Sequence, residues 1–252
     1  MNKIAFISGA TSGIGLSCVY KFASNGYRVI LCGRRSDRLS HNVSKLVEKY
    51  GDNFHAISLD VRNRKDVEKA IQALPDEWKN IDVLVNNAGL ALGLSPIQDG
   101  NVEHWEQMID TNIKGLLYLS KAIIPIMIER KSGHIINVGS IAGREAYPNG
   151  NVYCATKAAV DSLTKNMRID LLKYGIKVSQ VAPGAADTEF SLVRFEGDKE
   201  RADNVYKGYT PLSGDDIADV IYYLASLPPH VNINDVLVMC TAQATASIFH
   251  KV

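Results

Sequence analysis

The sequence predicts an α/β protein built on a doubly wound parallel β-sheet with helices on both faces. Two observations support this fold class. Short apolar runs alternate with longer segments of helical period from residue 3 to about residue 240. The short runs are apolar on both faces, which is typical of strands that helices cover on either side. No linker-like segment interrupts the alternation, so we expect one domain over residues 1–252.

The first strand and the first helix are predicted from adjacent patterns. Ile4 to Ile7 is a short apolar run. Ile14, Cys18 and Phe22 then recur every four residues, as on the buried face of an amphipathic helix, and Gly26 provides a helix stop. A strand followed by a crossover helix is the first half of a βαβ unit.

The same pattern repeats along the rest of the chain. Val29 to Cys32 is the second strand, and the helix after it has Ser36 as a candidate N-cap and ends before Gly51. Further strands are predicted at Val83–Val85, Ile135–Val138 and Val178–Ala182, and further helices at Lys157–Tyr174 and Asp215–Ala225. Because ligands of such sheets bind at the carboxyl ends of the strands, we expect the functional residues there.

One segment does not fit the alternation. Gly184 to Gly214 is long, polar and interrupted by Gly197 and Gly208. Long connections in compact domains are usually functional, so we predict a lid over a substrate site at 184–214. The alternative is an ordinary surface excursion.

The composition excludes several classes of protein. The chain has 28 basic and 27 acidic side chains, a net charge of +1, which provides no broad field for nucleic acid or an anionic membrane. The longest apolar stretch, Ala122 to Ile128, is far shorter than the ~18 residues that suggest a membrane span. The four cysteines form no CxxC pair or Cys/His cluster with metal-ligand spacing. We therefore expect a cytoplasmic protein with a small-molecule ligand and no metal.

A glycine-rich segment, Ser8 to Gly15, connects the first strand to the first helix and reads SGATSGIG. Glycines allow a tight turn and close approach of a pyrophosphate, and the N–H groups at a helix start bind its charge. Three glycines alone would fit a structural turn equally well, but this position favours a dinucleotide. The predicted contacts are Gly9, Thr11, Ser12, Gly13, Ile14 and Gly15.

The end of the second strand reads Cys32-Gly33-Arg34-Arg35. Sites that bind NAD often present a carboxylate here to the ribose hydroxyls. This stretch has no acid, and guanidinium groups such as those of Arg34 and Arg35 can bind a phosphate. We therefore predict NADP, through its 2′-phosphate. The alternative is a pair of solvated surface arginines.

Tyr153 and Lys157 are four residues apart at the start of a predicted helix, so they share one face. A phenol has an unperturbed pKa of ~10, and a nearby ammonium favours its ionised form. We expect Lys157 to lower the pKa of Tyr153, which would then act as an acid or base. In a chain with 11 tyrosines the pair could also arise by chance.

Two further polar residues are candidates for the same site. Ser140 follows the strand segment His134 to Gly139 and could polarise a substrate carbonyl, or simply cap a turn. Asn112 lies among apolar positions of a predicted long helix, where an amide needs a polar partner. It is either a satisfied core amide or the holder of a water beside Lys157, and both can be true.

The ordered set of motifs resembles the short-chain dehydrogenase/reductase family. The motifs are Gly9/Gly13/Gly15, Asn86-Asn87-Ala88-Gly89, Asn112, Ser140, Tyr153/Lys157 and Pro183-Gly184. The resemblance spans nearly the whole chain. It implies a Rossmann fold with a seven-stranded sheet, a nicotinamide cofactor and an Asn-Ser-Tyr-Lys tetrad.

The resemblance also implies a role for each tetrad residue. Tyr153 would be the catalytic acid/base, and Ser140 would orient the substrate. Lys157 would bind the ribose and lower the phenol pKa, and Asn112 would hold a proton-relay water. It further implies cofactor contacts at Asp60, Val61, Asn87, Ala88, Gly89, Tyr153, Lys157, Pro183, Gly184 and Thr188.

Four longer segments are similar to the NADP-dependent 3-hydroxy acid dehydrogenases within that family. They are NAGLALG at 87–93, WEQMIDTN at 105–112, TEFSLVRF at 188–195 and LPPHVNIN at 227–234. Members oxidise serine, L-allo-threonine and related acids, or reduce compounds such as malonic semialdehyde, and are tetramers. The chain departs from them after Pro183-Gly184, where Ala185-Ala186-Asp187 replaces larger apolar residues.

These observations predict reversible hydride transfer between NADP and C3 of a small 3-hydroxy acid. The substrate contacts would be Ser140, Tyr153 and Arg194, with Arg144 as the rival cation for a carboxylate. One alternative is reduction of a 3-oxoacyl or hydrophobic ketone substrate. Another is a sensor or scaffold that binds NADP without turnover.

Overall fold

A single seven-stranded sheet forms the centre of the protein in the computed structural model, which describes residues 3–252. The first two residues of the predicted domain lie outside the described residues. The strand order is β3-β2-β1-β4-β5-β6-β7, and every neighbouring pair is parallel. The strands are β1 Ile4–Ser8, β2 Arg28–Gly33, β3 Phe54–Ser58, β4 Ile81–Asn86, β5 His134–Val138, β6 Lys177–Pro183 and β7 Asp235–Val238. The predicted sheet class is confirmed.

Helices connect the strands and include two short ones inside the predicted lid. They are α1 Gly13–Ser24, α2 Ser36–Tyr50, α3 Arg64–Gln72, α4 Asp76–Lys79, α5 Val102–Ile109, α6 Leu116–Arg130, α7 Asn151–Leu171, α8 Glu189–Arg194, α9 Lys199–Val205 and α10 Gly214–Ser226. Over residues 3–252, none of the helices is long and apolar enough to cross a membrane.

Several helix boundaries differ from the sequence prediction. The N-cap of α2 is Arg35 rather than Ser36, which is already helical. Helix α7 begins at Asn151, ahead of the predicted start, and continues as a 3₁₀ turn, Leu172–Tyr174. Gly175 then ends it in the left-handed region at φ 71°, as the sequence indicated.

Alternate strand residues pack into two apolar layers, one on each face of the sheet. Ala5 and Ile7 of β1 face the layer covered by α1, α2 and α10, whereas Ile4 and Phe6 face the layer covered by α3 and α6. This alternation explains why the strands read as apolar on both faces. Helices on both faces are therefore confirmed.

The chain reverses its direction of winding between β3 and β4. Strand β1 lies between β2 and β4, so the carboxyl ends of β1 and β4 diverge into connections on opposite sides of the sheet. An open α/β sheet has its ligand crevice at such a point.

Between β4 and β5 the Asn86 amide donates to Asn137 Oδ1 at 2.9 Å, so this amide links neighbouring strands as the sequence suggested.

Candidate active site

A groove of about 480 Å³ opens at the carboxyl ends of the central strands, within the volume range of ligand sites. It brings together most of the predicted site residues. Those lining it are Gly9, Thr11, Ser12, Gly13, Ile14, Arg34, Arg35, Asp60, Val61, Asn87, Ala88, Gly89, Ser140, Tyr153, Lys157, Pro183, Gly184, Thr188 and Arg194. Gly15 and Asn112 are the two predicted residues that do not line it.

The glycine loop leaves no room for side chains on its inner surface. Gly9 and Gly13 have φ values of 67° and 52°, in the left-handed region that favours glycine. A Cβ on Gly9 would lie 2.8 Å from Asn87 Nδ2, and one on Gly15 would overlap the carbonyl oxygen of Gly9. Gly15 therefore acts behind the groove wall, where it lets α1 approach the loop.

The same loop has the features of a phosphate cradle. Helix α1 begins at Gly13, and the side chain of its N-cap residue, Ser12, makes no capping hydrogen bond. The N–H groups of the first turn can therefore bind an anion. The buried Thr111 hydroxyl also lines the groove and lacks a partner among the described residues. These residues fit a dinucleotide.

Ser8, which sequence reasoning missed, joins the ends of β1 and β4. Its Oγ accepts hydrogen bonds from the N–H groups of Asn87 and Ala88, both at 3.0 Å, and donates to Val85 O at 3.2 Å. Asn87 Nδ2 returns a hydrogen bond to Ser8 O at 2.9 Å. These contacts fix the chain after β4 against the glycine loop.

The two predicted arginines lie at the nucleotide end of the groove. Arg35 Nη2 donates to Thr11 Oγ1 at 2.6 Å and to Ser12 Oγ at 2.7 Å. Arg34 is exposed beside Asp60. Burial alone would raise the pKa of Asp60, but the hydrogen bonds of Arg62 and the charge of Arg34 lower it.

An acid lies at this end of the groove as well, which corrects the sequence interpretation. Glu189, from the predicted lid, forms an ion pair with Arg35 at 2.7 Å and a second one with Arg38. This acid comes from α8, 154 residues along the chain from Arg35, so the sequence around β2 does not show it.

The tetrad residues Tyr153 and Lys157 are both buried on α7. Lys157 Nζ donates to Val138 O at 2.9 Å and lies 5.9 Å from the centre of the Tyr153 ring. Burial lowers the pKa of Lys157 to about 8. The ammonium therefore points at the end of β5 beside the phenol.

The pKa of Tyr153 shows a net upward shift, and the expectation that Lys157 lowers it stays a prediction. Burial, assisted by Tyr147, raises the pKa of Tyr153 above its ordinary value. The groups that oppose this rise are a hydrogen bond with Ser140 and the charge of Arg194. The Lys157 ammonium itself is directed to a backbone carbonyl.

Ser140 caps a turn, which is one of the two roles that the sequence left open; its role toward a substrate stays a prediction. It is the N-cap of a 3₁₀ turn, Ile141–Gly143, where its Oγ accepts from Ala142 N–H at 3.1 Å. The same hydroxyl donates to Pro183 O at 3.4 Å and lowers the pKa of Tyr153 against the effect of burial. The turn thus fixes a hydroxyl at the carboxyl end of β5, beside the phenol.

Asn112 lies in a π-helical turn, Asp110–Gly115, between α5 and α6, and not in the regular helix that the sequence predicted. Such turns are frequent at functional sites. Its amide donates to Leu90 O and Thr156 Oγ1, at 2.9 and 3.0 Å, and its Oδ1 accepts from Leu90 N–H at 2.9 Å. Asn112 is a satisfied core amide that holds the loop after β4.

The other end of the groove, where a substrate is expected, carries a cation from α8. Arg194 Nη2 donates to the Tyr147 hydroxyl at 2.5 Å, and Arg194 Cζ lies 5.4 Å from the centre of the Tyr153 ring. The rival cation, Arg144, forms an ion pair with Asp235 instead. Tyr147 was not predicted, although it lies only six residues before Tyr153 in the sequence.

The segment after Pro183, which departs from related sequences, has a fixed path. Ala185 O accepts from Leu212 N–H at 3.0 Å, and Leu212 O accepts from Asp187 N–H at 2.7 Å. Ala185 N–H donates to the side chain of buried Gln243 at 2.8 Å. Gln243 is a further residue that sequence reasoning missed, because it is 58 positions away.

The chain belongs to the short-chain dehydrogenase family, whose model matches residues 3–198. It is 47% identical over 246 residues to the NADP-dependent 3-hydroxy acid dehydrogenase YdfG of Salmonella typhi, covering 97% of this chain and 98% of that protein. It is 46% identical over 245 residues to sulfoacetaldehyde reductase 2 of Chromohalobacter salexigens, covering 97% and 96%.

Two solved structures are also similar to this chain over nearly its whole length. The closed form of a serine dehydrogenase complexed with NADP+ matches with a TM-score of 0.93 and 44% identity, over 99% of each chain. Serine dehydrogenase from Escherichia coli matches with a TM-score of 0.83 and 41% identity, over 96% of this chain and 99% of that one. The predicted resemblance and the Rossmann-type fold are confirmed.

We expect a Gly15→Ala substitution to weaken NADPH binding by about tenfold or more, roughly 1.4 kcal/mol. The added methyl group would push the glycine loop away from α1, because its Cβ overlaps a backbone carbonyl. Cofactor fluorescence titration measures the effect. Gly26→Ala is the matched control, since Gly26 has open space around it and a φ of 79°. It should cost roughly 1 kcal/mol of stability and leave NADPH binding unchanged. Equal binding by both variants would contradict the proposed cradle.

Proposed function

We propose that the protein is an NADP-dependent oxidoreductase that interconverts a small 3-hydroxy acid and the corresponding 3-oxo acid. One observation carries the proposal. A buried phenol, Tyr153, lies between a hydroxyl, Ser140, and a cation, Arg194, in a groove whose other end presents Arg34 and Arg35. The names of the relatives, which include NADP-dependent 3-hydroxy acid dehydrogenases and serine dehydrogenases, support it.

NADP would lie along the groove from the arginines to Tyr153. Arg34, Arg35, Thr11 and Ser12 would bind the 2′-phosphate, and the first turn of α1 would bind the pyrophosphate. The remaining predicted contacts, Asp60, Val61, Asn87, Ala88, Gly89, Pro183, Gly184 and Thr188, line the walls between these two ends. When bound, the nicotinamide supplies the hydride acceptor or donor for C3 of the substrate.

Tyr153 would exchange a proton with the substrate oxygen. In the direction of oxidation the phenolate takes the hydroxyl proton, and in the direction of reduction the phenol returns it. Ser140 would donate a hydrogen bond to the same oxygen and hold it in place. From the family resemblance we assign Lys157 to the ribose and Asn112 to a relay water, and both side chains lie near Gly89.

Arg194 would bind the substrate carboxylate. Its guanidinium is held by Tyr147 and by Gly93 O, which accepts from Arg194 Nε at 3.3 Å, so it is positioned before a substrate arrives. A cation that is placed to bind a carboxylate disfavours the alternative substrates, which are a hydrophobic ketone or a 3-oxoacyl group. The complete tetrad disfavours a sensor or scaffold without turnover.

A small sulfonate aldehyde is a second candidate substrate. A sulfonate presents the same negative charge and acceptor oxygens to Arg194 and Tyr147 as a carboxylate does. One relative is named a sulfoacetaldehyde reductase and is 46% identical to this chain. The two classes are distinguished by kinetics on matched substrates.

We also propose that residues 184–214 act as the lid of a single-domain enzyme. Helix α8 carries Glu189 to the nucleotide end and Arg194 to the substrate end, and the Phe190 ring lies 5.4 Å from the Tyr153 ring. A homotetramer in the cytoplasm is proposed from the family resemblance. Ile169 and Leu172 are 72% and 75% exposed, which fits an apolar subunit contact. The four cysteines are free thiols, which fits a reducing compartment.

A spectrophotometric screen tests the proposed function. We expect NADP reduction with serine, 3-hydroxypropionate or 3-hydroxyisobutyrate, and NADPH oxidation with a 3-oxo acid or sulfoacetaldehyde. A simple ketone without an acid group should turn over at least about tenfold more slowly, because it lacks the ion pair with Arg194. Turnover of the ketone at the rate of the acids would contradict the substrate class. Absence of turnover with every compound would favour the sensor or scaffold.

Replacement of Tyr153 by Phe should reduce turnover by at least about a thousandfold, since the proton carrier is lost. NADPH binding should stay within about twofold, because the ring and its packing are kept. Steady-state kinetics and cofactor titration measure the two effects. Tyr20→Phe, at a half-buried tyrosine of α1, is the matched control and should keep full activity. A Tyr153→Phe enzyme that retained ordinary turnover would disprove the assignment.

Replacement of Arg194 by Gln should raise KM for a hydroxy acid by about 10- to 100-fold, the loss expected for a charge-assisted contact. The KM for NADP should change far less. Arg144→Gln is the control, because the Arg144 guanidinium is paired with Asp235. If Arg144→Gln raised KM for the acid instead, the carboxylate would bind at the rival site.

A further inference from the structure

Glu189, at the start of the lid helix α8, contacts the residues expected to bind the 2′-phosphate. Its Oε2 forms an ion pair with Arg35 Nη1 at 2.7 Å, and its Oε1 pairs with Arg38. The Ser12 hydroxyl, which accepts from Arg35 Nη2, also helps to lower the pKa of Glu189. A carboxylate of the lid is therefore bound by donors of the nucleotide site.

The 2′-phosphate of NADP needs the same donors. Arg35 Nη2 lies 2.7 Å from Ser12 Oγ and 2.6 Å from Thr11 Oγ1, so these three residues form one compact anion site. Two anions a few ångströms apart in such a site repel each other. Burial alone would raise the pKa of Glu189, but the hydrogen bonds of Arg35 and Arg38 lower it to about 2. The carboxylate is thus ionised at neutral pH in the free protein.

We propose that Glu189 sets the cofactor preference by competing with the 2′-phosphate for Arg35 and Ser12. In the free protein the carboxylate neutralises part of the arginine cluster. NADP must displace it, whereas NAD, which has no 2′-phosphate, leaves the ion pairs in place. This inference rests on the proposed function, because it takes the groove to be an NADP site.

The competition also links the cofactor to the lid. Helix α8 carries Glu189 at its first residue and Arg194 at its last. The Arg194 end is held separately, since Gly93 N–H donates to Arg194 O at 3.0 Å and Arg194 Nε donates to Gly93 O. Displacement of Glu189 by the phosphate would therefore free this side chain from the arginines, while the backbone bonds of Asp187 to Leu212 and of Arg194 to Gly93 keep the helix in place.

Binding titrations of NADPH and NADH with the full chain test the proposal. Glu189→Gln removes the charge and keeps a similar shape, and Glu189→Ala removes both charge and shape. We expect each variant to lower the Kd for NADPH by about 3- to 10-fold and to leave the Kd for NADH within about twofold. The readout is the Kd for NADH divided by the Kd for NADPH, which should rise in both variants. A general change in the lid would affect both cofactors alike and would leave this Kd ratio unchanged.

Glu200→Gln is the matched control. Glu200 is an exposed carboxylate on α9 of the same lid and forms no ion pair with any residue from 3 to 252. Its removal should leave the Kd ratio unchanged. An equal rise in the ratio would show that total charge, not Glu189, controls the preference, and would overturn the proposal.

The remaining outcomes separate this inference from the proposed function. A Kd ratio that is unchanged or lower in both Glu189 variants overturns the competition, even when the unsubstituted protein binds NADPH tightly. In that case Glu189 would only position the arginines. If the unsubstituted protein itself binds NADPH no better than NADH, the proposed NADP function is wrong. The inference about Glu189 is then wrong as well, because it rests on that function.

Discussion

The close approach of two backbone segments at the centre of the sheet is the constraint on which the rest of the site depends. The glycine loop after β1 touches the segment after β4, and the Ser8 hydroxyl joins them through the N–H groups of Asn87 and Ala88. Side chains on Gly9 or Gly15 would push these segments apart. Their contact creates the groove wall and places Gly89 against Asn112 and Lys157. One strand-end junction thus positions both the phosphate cradle and the polar groups beside the phenol.

The short helix α8 places one charged side chain at each end of the groove. Six residues of α8 carry Glu189 to the arginine cluster and Arg194 to the phenols of Tyr147 and Tyr153. Because one helix contacts both ends of the groove, a ligand at either end can affect the contacts at the other. The net charge of the whole chain is only +1, so these local charges, and not a global field, select the ligands.

Sequence alone predicted what depends on local spacing. The alternation of apolar runs gave the sheet, and Tyr153 and Lys157 share a face because they are one helical turn apart. The strands β3 and β7 were not predicted individually, since edge strands are only half buried and lack a continuous apolar run. Glu189 was missed because its partner Arg35 is 154 residues away, and no local pattern marks such a contact. The upward shift of the Tyr153 pKa was not predicted for a similar reason, since it depends on burial by residues that are distant in the sequence.

That shifted pKa has a consequence for the proposed chemistry. Burial keeps Tyr153 protonated in the free protein, which is the form that donates a proton during reduction. Oxidation requires the phenolate, so positive charge near the ring has to offset the cost of burial. Arg194 contributes part of this charge from 5.4 Å, and an oxidised nicotinamide would add to it. A substrate carboxylate on Arg194 would cancel part of the same charge. Under the proposed function, the ionisation of Tyr153 therefore depends on these charges as well as on its spacing from Lys157.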